Sequence, residues 1–324
     1  MRAAVVTAFG DPDVIAIEEV ADPVPGPGEL EIAVAFVNVL WVETMIRRGV
    51  ARGHFDHEPP YVPGNGVAGH VRAVGEGVDA AWVGRAVVAH TGGRGADAER
   101  VVLRAAVAVE VPAGVALELA AAVMHDGVTA LALQEATGIG GSSRVLVVGA
   151  SGGLGIASIQ LARARGARVV ATARGEGKLA RVRELGASAV IDSEAPGWVD
   201  EARAALGGEG ADVILDNIGG TLGGAALGAI ARGGTFSAHG TPSGSFAQID
   251  RDEAERRDVT VIGIGGAQLD EAERVRLTRA VLAELAAGRL APVIGQVFPL
   301  AGVAEAHAAI EARRVFGKTL LRVA

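Results

Sequence analysis

The chain of 324 residues contains no cysteine. That excludes disulfides, thiol nucleophiles and every thiolate metal site. Aromatic residues amount to 3%, with a single tyrosine, Tyr61. Four residues on stands Asn65, so the chain has no Tyr-x-x-x-Lys pair. Lysine occurs only at Lys178 and Lys318, among 30 basic residues. No run of 18 apolar residues is present, so no membrane span is expected. The opening MRAAVVTAFG lacks the apolar core of a secretory leader, and a cytoplasmic location is expected. A net charge of −8 with no basic patch argues against nucleic acid as a partner. The seven histidines are His54, His57, His70, His90, His125, His239 and His307. None lies in an HxxxH or HExxH pair, and no metal site is expected.

What is abundant is aliphatic. Half the residues are hydrophobic and 47 are glycine, enough for a large core with many turns. The length suggests two domains. Short strand-like runs at Ala3–Thr7, Ile15–Glu19, Glu31–Val37, Val67–Val74 and Ala86–Ala89, spaced by Gly and Pro, predict a compact β-barrel. A short helix is expected at Thr44–Arg48 and a loop at Ala51–Pro63. Leu117–Ala136 reads as one helix. From Arg144 on, strands alternate with helices. The strands are Val145–Val148, Arg168–Thr172, Ala189–Ile191, Val213–Leu215, Thr235–Ala238 and Thr260–Ile264; the helices include Lys178–Leu185, Gly197–Leu206 and Leu222–Ala231. This alternation specifies a doubly wound parallel sheet. The tail reads as a helix at Asp270–Ala287, a loop at Pro292–Phe298, a helix at Val303–Arg313 and a strand at Thr319–Val323, packing back on the first domain.

The most specific segment is RVLVVGASGGLGIASIQLARARGARVVATARGEGK, Arg144 to Lys178. An apolar strand meets a turn of small residues, then a helix and a second strand: the βαβ unit that binds dinucleotides. The turn Ala150, Ser151, Gly152, Gly153, Leu154 and Gly155 lets the backbone approach a pyrophosphate, and the helix N-terminus favours its charge. At the end of the second strand, where NAD binders carry an acid, stands Arg174, with Lys178 close behind. A carboxylate there would repel a 2′-phosphate and a guanidinium would hold it, so the expected cofactor is NADPH.

Further motifs follow one another along the chain: Met1-Arg2-Ala3, Pro25-Gly26-Pro27-Gly28-Glu29, Glu43-Thr44-Met45-Ile46-Arg47, Val62-Pro63-Gly64-Asn65-Gly66-Val67-Ala68-Gly69 and Val74-Gly75-Glu76-Gly77-Val78. Then come Ala150–Gly155, Asp216-Asn217-Ile218-Gly219-Gly220, Ala306-His307 and Gly317-Lys318-Thr319-Leu320-Leu321. In this order they resemble the medium-chain dehydrogenase/reductase superfamily, in its zinc-independent NADPH:quinone oxidoreductase (zeta-crystallin-like) branch. The resemblance implies a GroES-like β-barrel catalytic domain over residues 1–120, completed by 266–324, and a Rossmann cofactor domain over 121–265. It implies hydride transfer from NADPH to a quinone or conjugated carbonyl. Two other readings stay open: an enoyl-thioester reductase, and an NADPH-binding sensor or structural protein without turnover. A homodimer is expected through the sixth strand, Thr260–Ile264, at a sheet edge.

Two departures stand out. Metal-dependent members place a zinc-ligand histidine and a glutamate after the glycine of Pro63-Gly64; here Asn65 and Gly66 stand there. Many quinone and enoyl reductases carry tyrosine where this chain has Met45. The resemblance then points to Asn65 as a donor to a substrate oxygen, Trp41 as a stacking surface, Tyr61 as a proton donor or loop cap, and His125, beside Asp126, as a proton shuttle. On the cofactor side it adds Thr129 and Lys318, and Asn217, Ile218 and His239 at the carboxyl ends of strands, where such sheets bind ligands. His54 and His57 read as loop histidines and His307 as structural.

Overall fold

The structure, a computed structural model, describes residues 1–50, 53 and 55–323. His54 therefore lies outside the described residues. The strands among them are β1 (Arg2–Val6), β2 (Ile15–Glu19), β3 (Glu29–Val39), β4 (Gly66–Val74), β5 (Ala86–His90), β6 (Arg100–Arg104) and β7 (Val109–Glu110). Next come β8 (Arg144–Val148), β9 (Arg168–Ala173), β10 (Ala189–Asp192), β11 (Ala211–Asp216), β12 (Ile230–Ala238) and β13 (Thr260–Ile262). β14 (Ile294–Pro299) and β15 (Lys318–Arg322) end the series. The first four helices are α1 (Trp41–Arg47), α2 (Leu117–Val123), α3 (Asp126–Thr137) and α4 (Gly153–Ala164).

The chain divides into two compact units, Met1–His125 with Glu271–Ala287 and Pro292–Ala324, and Asp126–Asp270 with Gly288–Ala291. The first is a GroES-like β unit. Its large sheet runs β14-β15-β3-β4-β5-β7, with β6 also on β3. β15 pairs antiparallel with β3, placing the end of the chain beside its beginning. Alternate residues of the strands, among them Leu30, Ile32, Val34, Val67, Val71 and Val87, point into one apolar cluster with Val303 and Leu321. That alternation is what a half-buried antiparallel sheet requires.

The second unit is the doubly wound sheet, in the order β10-β9-β8-β11-β12-β13, all parallel. Its central strands are near-continuous apolar runs, because helices cover both faces. Leu146, Val148, Val170, Ile214 and Phe236 form its core. The carboxyl ends of β8 and β11, the switch point of the strand order, carry Gly149 and Asn217.

Three expectations from sequence change here. Leu117–Ala136 is two helices, α2 and α3, broken at Met124-His125. There the Met124 carbonyl accepts the His90 Nε2–H at 2.8 Å instead of continuing the helical ladder. Pro292–Phe298, read as a loop, contains β14, which pairs parallel to β15 around a register shift between Ile294 and Gln296. The helix expected to reach Ala231 stops earlier: Gly220–Ala225 is helical, a 3-10 turn follows, and Ile230 already pairs with Ala211 in the sheet. No helix among the described residues is long and apolar enough to cross a membrane.

Candidate functional site

In the parallel-sheet unit the glycine-rich turn follows β8. Gly149 has φ +74°, and a Cβ there would run into Ile218, so only glycine lets the two strand ends approach. Its N–H donates to Thr172 Oγ1 at 3.1 Å. Gly155 lies with its Cα face on the backbone of Ala150, where a Cβ would fall 2.6 Å from Cα. Gly152, by contrast, faces open space. It is also the N-cap of α4 and gives no side-chain hydrogen bond to the helix. The first N–H groups of α4, at Gly153, Leu154 and Gly155, thus lack a side-chain cap, and Ala150 and Ser151 lead into them. An unhindered, uncapped helix N-terminus of this kind suits a pyrophosphate.

β9 ends at Ala173, and Arg174 follows it on the surface. Its guanidinium lies 3.6 Å from Glu194. Lys178, one turn into the next helix, is half-buried. Burial, with the neighbouring Arg174 charge, holds its ammonium below its ordinary range.

At the carboxyl ends of β8, β11 and β12 a buried polar chain joins three strands. Ser237 Oγ donates to His239 Nδ1 at 2.9 Å, and His239 Nε2–H donates to Asn217 Oδ1 at 2.9 Å. Asn217 Nδ2 donates in turn to the Val148 carbonyl at 3.0 Å. Burial holds His239 neutral, down to about 4. Both of its ring nitrogens are committed, so His239 braces Asn217 and has no hydrogen bond left for a ligand. Ile218 sits in the turn that Asp216 holds, its N–H 3.0 Å from Oδ1. Thr129 lies, partly buried, in the first turn of α3.

The first unit gathers the other candidates. Asn65 Nδ2 lies 3.0 Å from His125 Nδ1. The His90 ring stands 6.1 Å from that of His125. Burial, with the charges of Lys318 and Arg274, pushes His125 down to about 3. His90 is likewise held near 3, by burial and then by its neighbour His125. Lys318 is itself buried, and its charge also bears on Glu43. Glu43 is buried at the start of α1, where its carboxylate accepts the Leu40 N–H at 2.8 Å. Burial, with Asp97 close by, raises Glu43 to about 8. Asp97 is raised to about 7 by burial.

Two expected roles weaken. Trp41 opens α1 under the Arg313 guanidinium, 5.1 Å from the ring centroid, so one face of the indole is already covered. Tyr61 pairs with Val6 and packs on the barrel cluster, edge-on to His57 at 5.2 Å. Burial and the Glu43 charge push its phenol up to about 12, which makes it a poor proton donor near neutrality. Glu43 and His90 were noted from sequence without a role, and Asp97 and Arg274 were not noted. Asp97 stands just past the glycines of Thr91–Gly95, a stretch that reads as surface turn.

This pairing of a GroES-like unit with a doubly wound sheet, whose glycine turn opens an uncapped helix, defines an oxidoreductase of the alcohol dehydrogenase type. Residues 26–113 match the family described as alcohol dehydrogenase GroES-like domain, and residues 153–281 the one described as zinc-binding dehydrogenase. The quinone oxidoreductase of Homo sapiens is 31% identical over 311 residues, 95% of this chain and 93% of that protein. A mycobacterial protein solved as a complex with NADPH superposes with TM-score 0.91 at 29% identity, over 100% of both chains. A structure described as an NAD-dependent alcohol dehydrogenase does so with TM-score 0.91 at 32% identity, again over 100% of both. The chain belongs to the quinone oxidoreductase family of the medium-chain dehydrogenase/reductase superfamily.

The residues present do not fit the zinc of metal-dependent members. The chain has no cysteine. Where those members carry glutamate stands Gly66, and a Cβ there would lie 2.5 Å from Met124 Cε. Among the described residues no group of three or more His, Asp or Glu could hold a metal ion.

Proposed function

We propose that the protein transfers hydride from NADPH to a quinone or conjugated carbonyl. NADPH, when bound, supplies the hydride. The turn Ala150–Gly155 and the N-terminus of α4 hold the pyrophosphate, and Arg174 and Lys178 hold the 2′-phosphate. The observation that carries this reading is the Arg174–Lys178 pair: two neighbouring cations, one of them depressed by burial and then by the other's charge, gain most from a doubly charged anion. The NADPH complex of the mycobacterial neighbour supports the reading. The NAD-dependent neighbour makes the basic pair, and not the fold, the deciding feature. Carbonyls that take hydride without a Lewis acid are those that delocalise the resulting charge, which favours quinones and enones.

The test is Arg174→Asp, assayed by NADPH and NADH oxidation with 1,4-benzoquinone. Replacing a charge-assisted bidentate contact by a like charge raises the KM for NADPH on the order of 100-fold and leaves that for NADH nearly unchanged. Equal NADPH kinetics in the variant remove the claim. The same reading includes a homodimer through β13, an edge strand whose Val261 is 43% exposed. Light scattering that gives the mass of one chain at micromolar concentration rejects it.

A further inference from the structure

We propose that His125 is a catalytic residue that donates its Nε2–H to the acceptor's carbonyl oxygen as negative charge develops there, and that Asn65 is the positioning residue that fixes the imidazole in that tautomer. The inference rests on the hydride-transfer reading above.

Asn65 sets the tautomer. Its Nδ2 lies 3.0 Å from His125 Nδ1. An amide nitrogen only donates, so Nδ1 must accept, and the single hydrogen of a neutral imidazole then sits on Nε2. The ring is partly exposed, and Nε2 makes no hydrogen bond to any described residue. A donor with a fixed hydrogen and no partner is thus presented by a side chain whose other nitrogen is clamped.

The surroundings keep that donor neutral and favour an anion in front of it. Asn65 from the turn before β4 and His90 from β5 stand against His125, and the charges of Lys318 on β15 and Arg274 on the helix Glu271–Ala286 bear on it. The two fixed cations disfavour an imidazolium; His90, itself neutral, adds no charge. The acidic groups of the cluster, Glu43 and Asp97, are buried, and burial favours their neutral forms. The charges of Lys318 and Arg274, which disfavour a cation at the ring, favour an anion beside it.

The reaction asks for this arrangement. When a conjugated carbonyl takes up hydride, the hydride's electron pair forms the new C–H bond. The π electrons shift, and one unit of negative charge settles on oxygen as an enolate or a hydroquinone monoanion. A proton from solvent then completes the product. The imidazole gives up no proton and remains neutral throughout. Its hydrogen bond strengthens as the oxygen becomes anionic, so it stabilises the transition state more than the ground state. This assigns to His125 the place of donor that the sequence had suggested for Asn65, and makes Asn65 its support.

The experiment compares wild type, His125→Ala, His125→Gln, Asn65→Ala and Asn65→Asp with NADPH against 1,4-benzoquinone and 2-cyclohexenone. NADPH affinity is followed by fluorescence, and the His125 tautomer by ¹⁵N NMR of the free protein. The expected result is an Nε2–H tautomer in wild type and a loss of kcat/KM on the order of 100-fold for His125→Ala with NADPH affinity unchanged. Asn65→Asp gives the discriminating readout. A carboxylate at Nδ1 favours the imidazolium, so activity becomes pH-dependent, falling as pH rises and the ring loses its Nε2–H, whereas the wild-type profile is flat there. A role confined to structure would not create that titration. An Nδ1–H tautomer in wild type overturns the inference. So does wild-type turnover that both His125 variants retain in full, an outcome that leaves the hydride-transfer reading standing. No NADPH oxidation by wild type with either acceptor sinks the reading itself, and the inference with it.

Discussion

The carboxylate of Asp97 is packed against Gly64, so closely that a Cβ on Gly64 would collide with Oδ1. Among the described residues neither Asp97 oxygen has a hydrogen-bond partner, and Glu43 Oε1 is in the same position. Two buried carboxylates near each other cannot both ionise cheaply, and the pair titrates as a unit. Burial raises both, Glu43 to about 8 and Asp97 to about 7. The folded state therefore holds protons that the unfolded chain releases above its ordinary carboxylate range. The stability this represents is complete below that range and is lost as pH rises through 7 to 8.

Asp97→Asn removes one of the two acids without removing a hydrogen bond. The variant's stability relative to wild type is expected to be about 1–3 kcal/mol more favourable at pH 8 than at pH 5. Urea denaturation at the two pH values measures the difference. A gap that does not change with pH means that the carboxyls are not held protonated.

The glycine turn separates packing from binding. Gly152 faces open space and Gly155 faces the Ala150 backbone. Gly152→Ala is expected to leave Tm unchanged while weakening NADPH, because the methyl takes space that the phosphates need. Gly155→Ala puts a methyl against backbone that cannot turn aside, and is expected to cost about 1–3 kcal/mol of stability as well. Thermal melts with and without NADPH distinguish the two. Equal NADPH affinity for Gly152→Ala and wild type would move the pyrophosphate away from α4.

Glu194 competes for Arg174. The pair is 3.6 Å apart, with both side chains well exposed, so it is worth at most about 1 kcal/mol. Glu194→Gln is expected to tighten NADPH by up to about fivefold at low salt, an effect that fades as the Debye length shortens. NADH affinity should not move. An equal gain for both nucleotides would place Arg174 away from the 2′-phosphate.

Much of the architecture was legible because it rests on local pattern. The apolar run of β8, the small residues of Ala150–Gly155 and the period of α4 agree with one another within one segment, so the βαβ unit could be read directly. β14 was not legible, since Pro292 and Gly295 read as breakers and only pairing with β15 makes the segment a strand. The break at Met124-His125 was hidden for the same reason: it depends on His90, 34 positions earlier. Asn65 and His125 were both legible through the family resemblance, but not as partners. Their hydrogen bond joins positions 60 apart, and with it goes the tautomer. His239 shows the converse. Its place after β12 suggested a ligand, and Asn217, which with the nearby Ser237 occupies its nitrogens, became a neighbour only once the strand ends were adjacent.

His307 is fully buried in the helix Val303–Glu311, and among the described residues neither ring nitrogen has a hydrogen-bond partner. Burial, then the Arg47 charge, pushes it down to about 3. In the fold it stays neutral, whereas in the unfolded chain it takes up a proton near pH 6.5. The unfolded state thus binds more protons between those values. The stability at stake is complete above pH 6.5 and declines by up to about 1.4 kcal/mol per pH unit as pH falls toward 3. Leucine has a similar volume and no nitrogen to leave unpaired. His307→Leu is therefore expected to gain about 1 kcal/mol at pH 7. Its advantage should widen by about 2 kcal/mol at pH 5, because one titrating site has been removed. Urea titrations at the two pH values decide the matter: a variant less stable at pH 7, or a gap that stays constant on acidification, means that His307 has a partner or a charge in the fold.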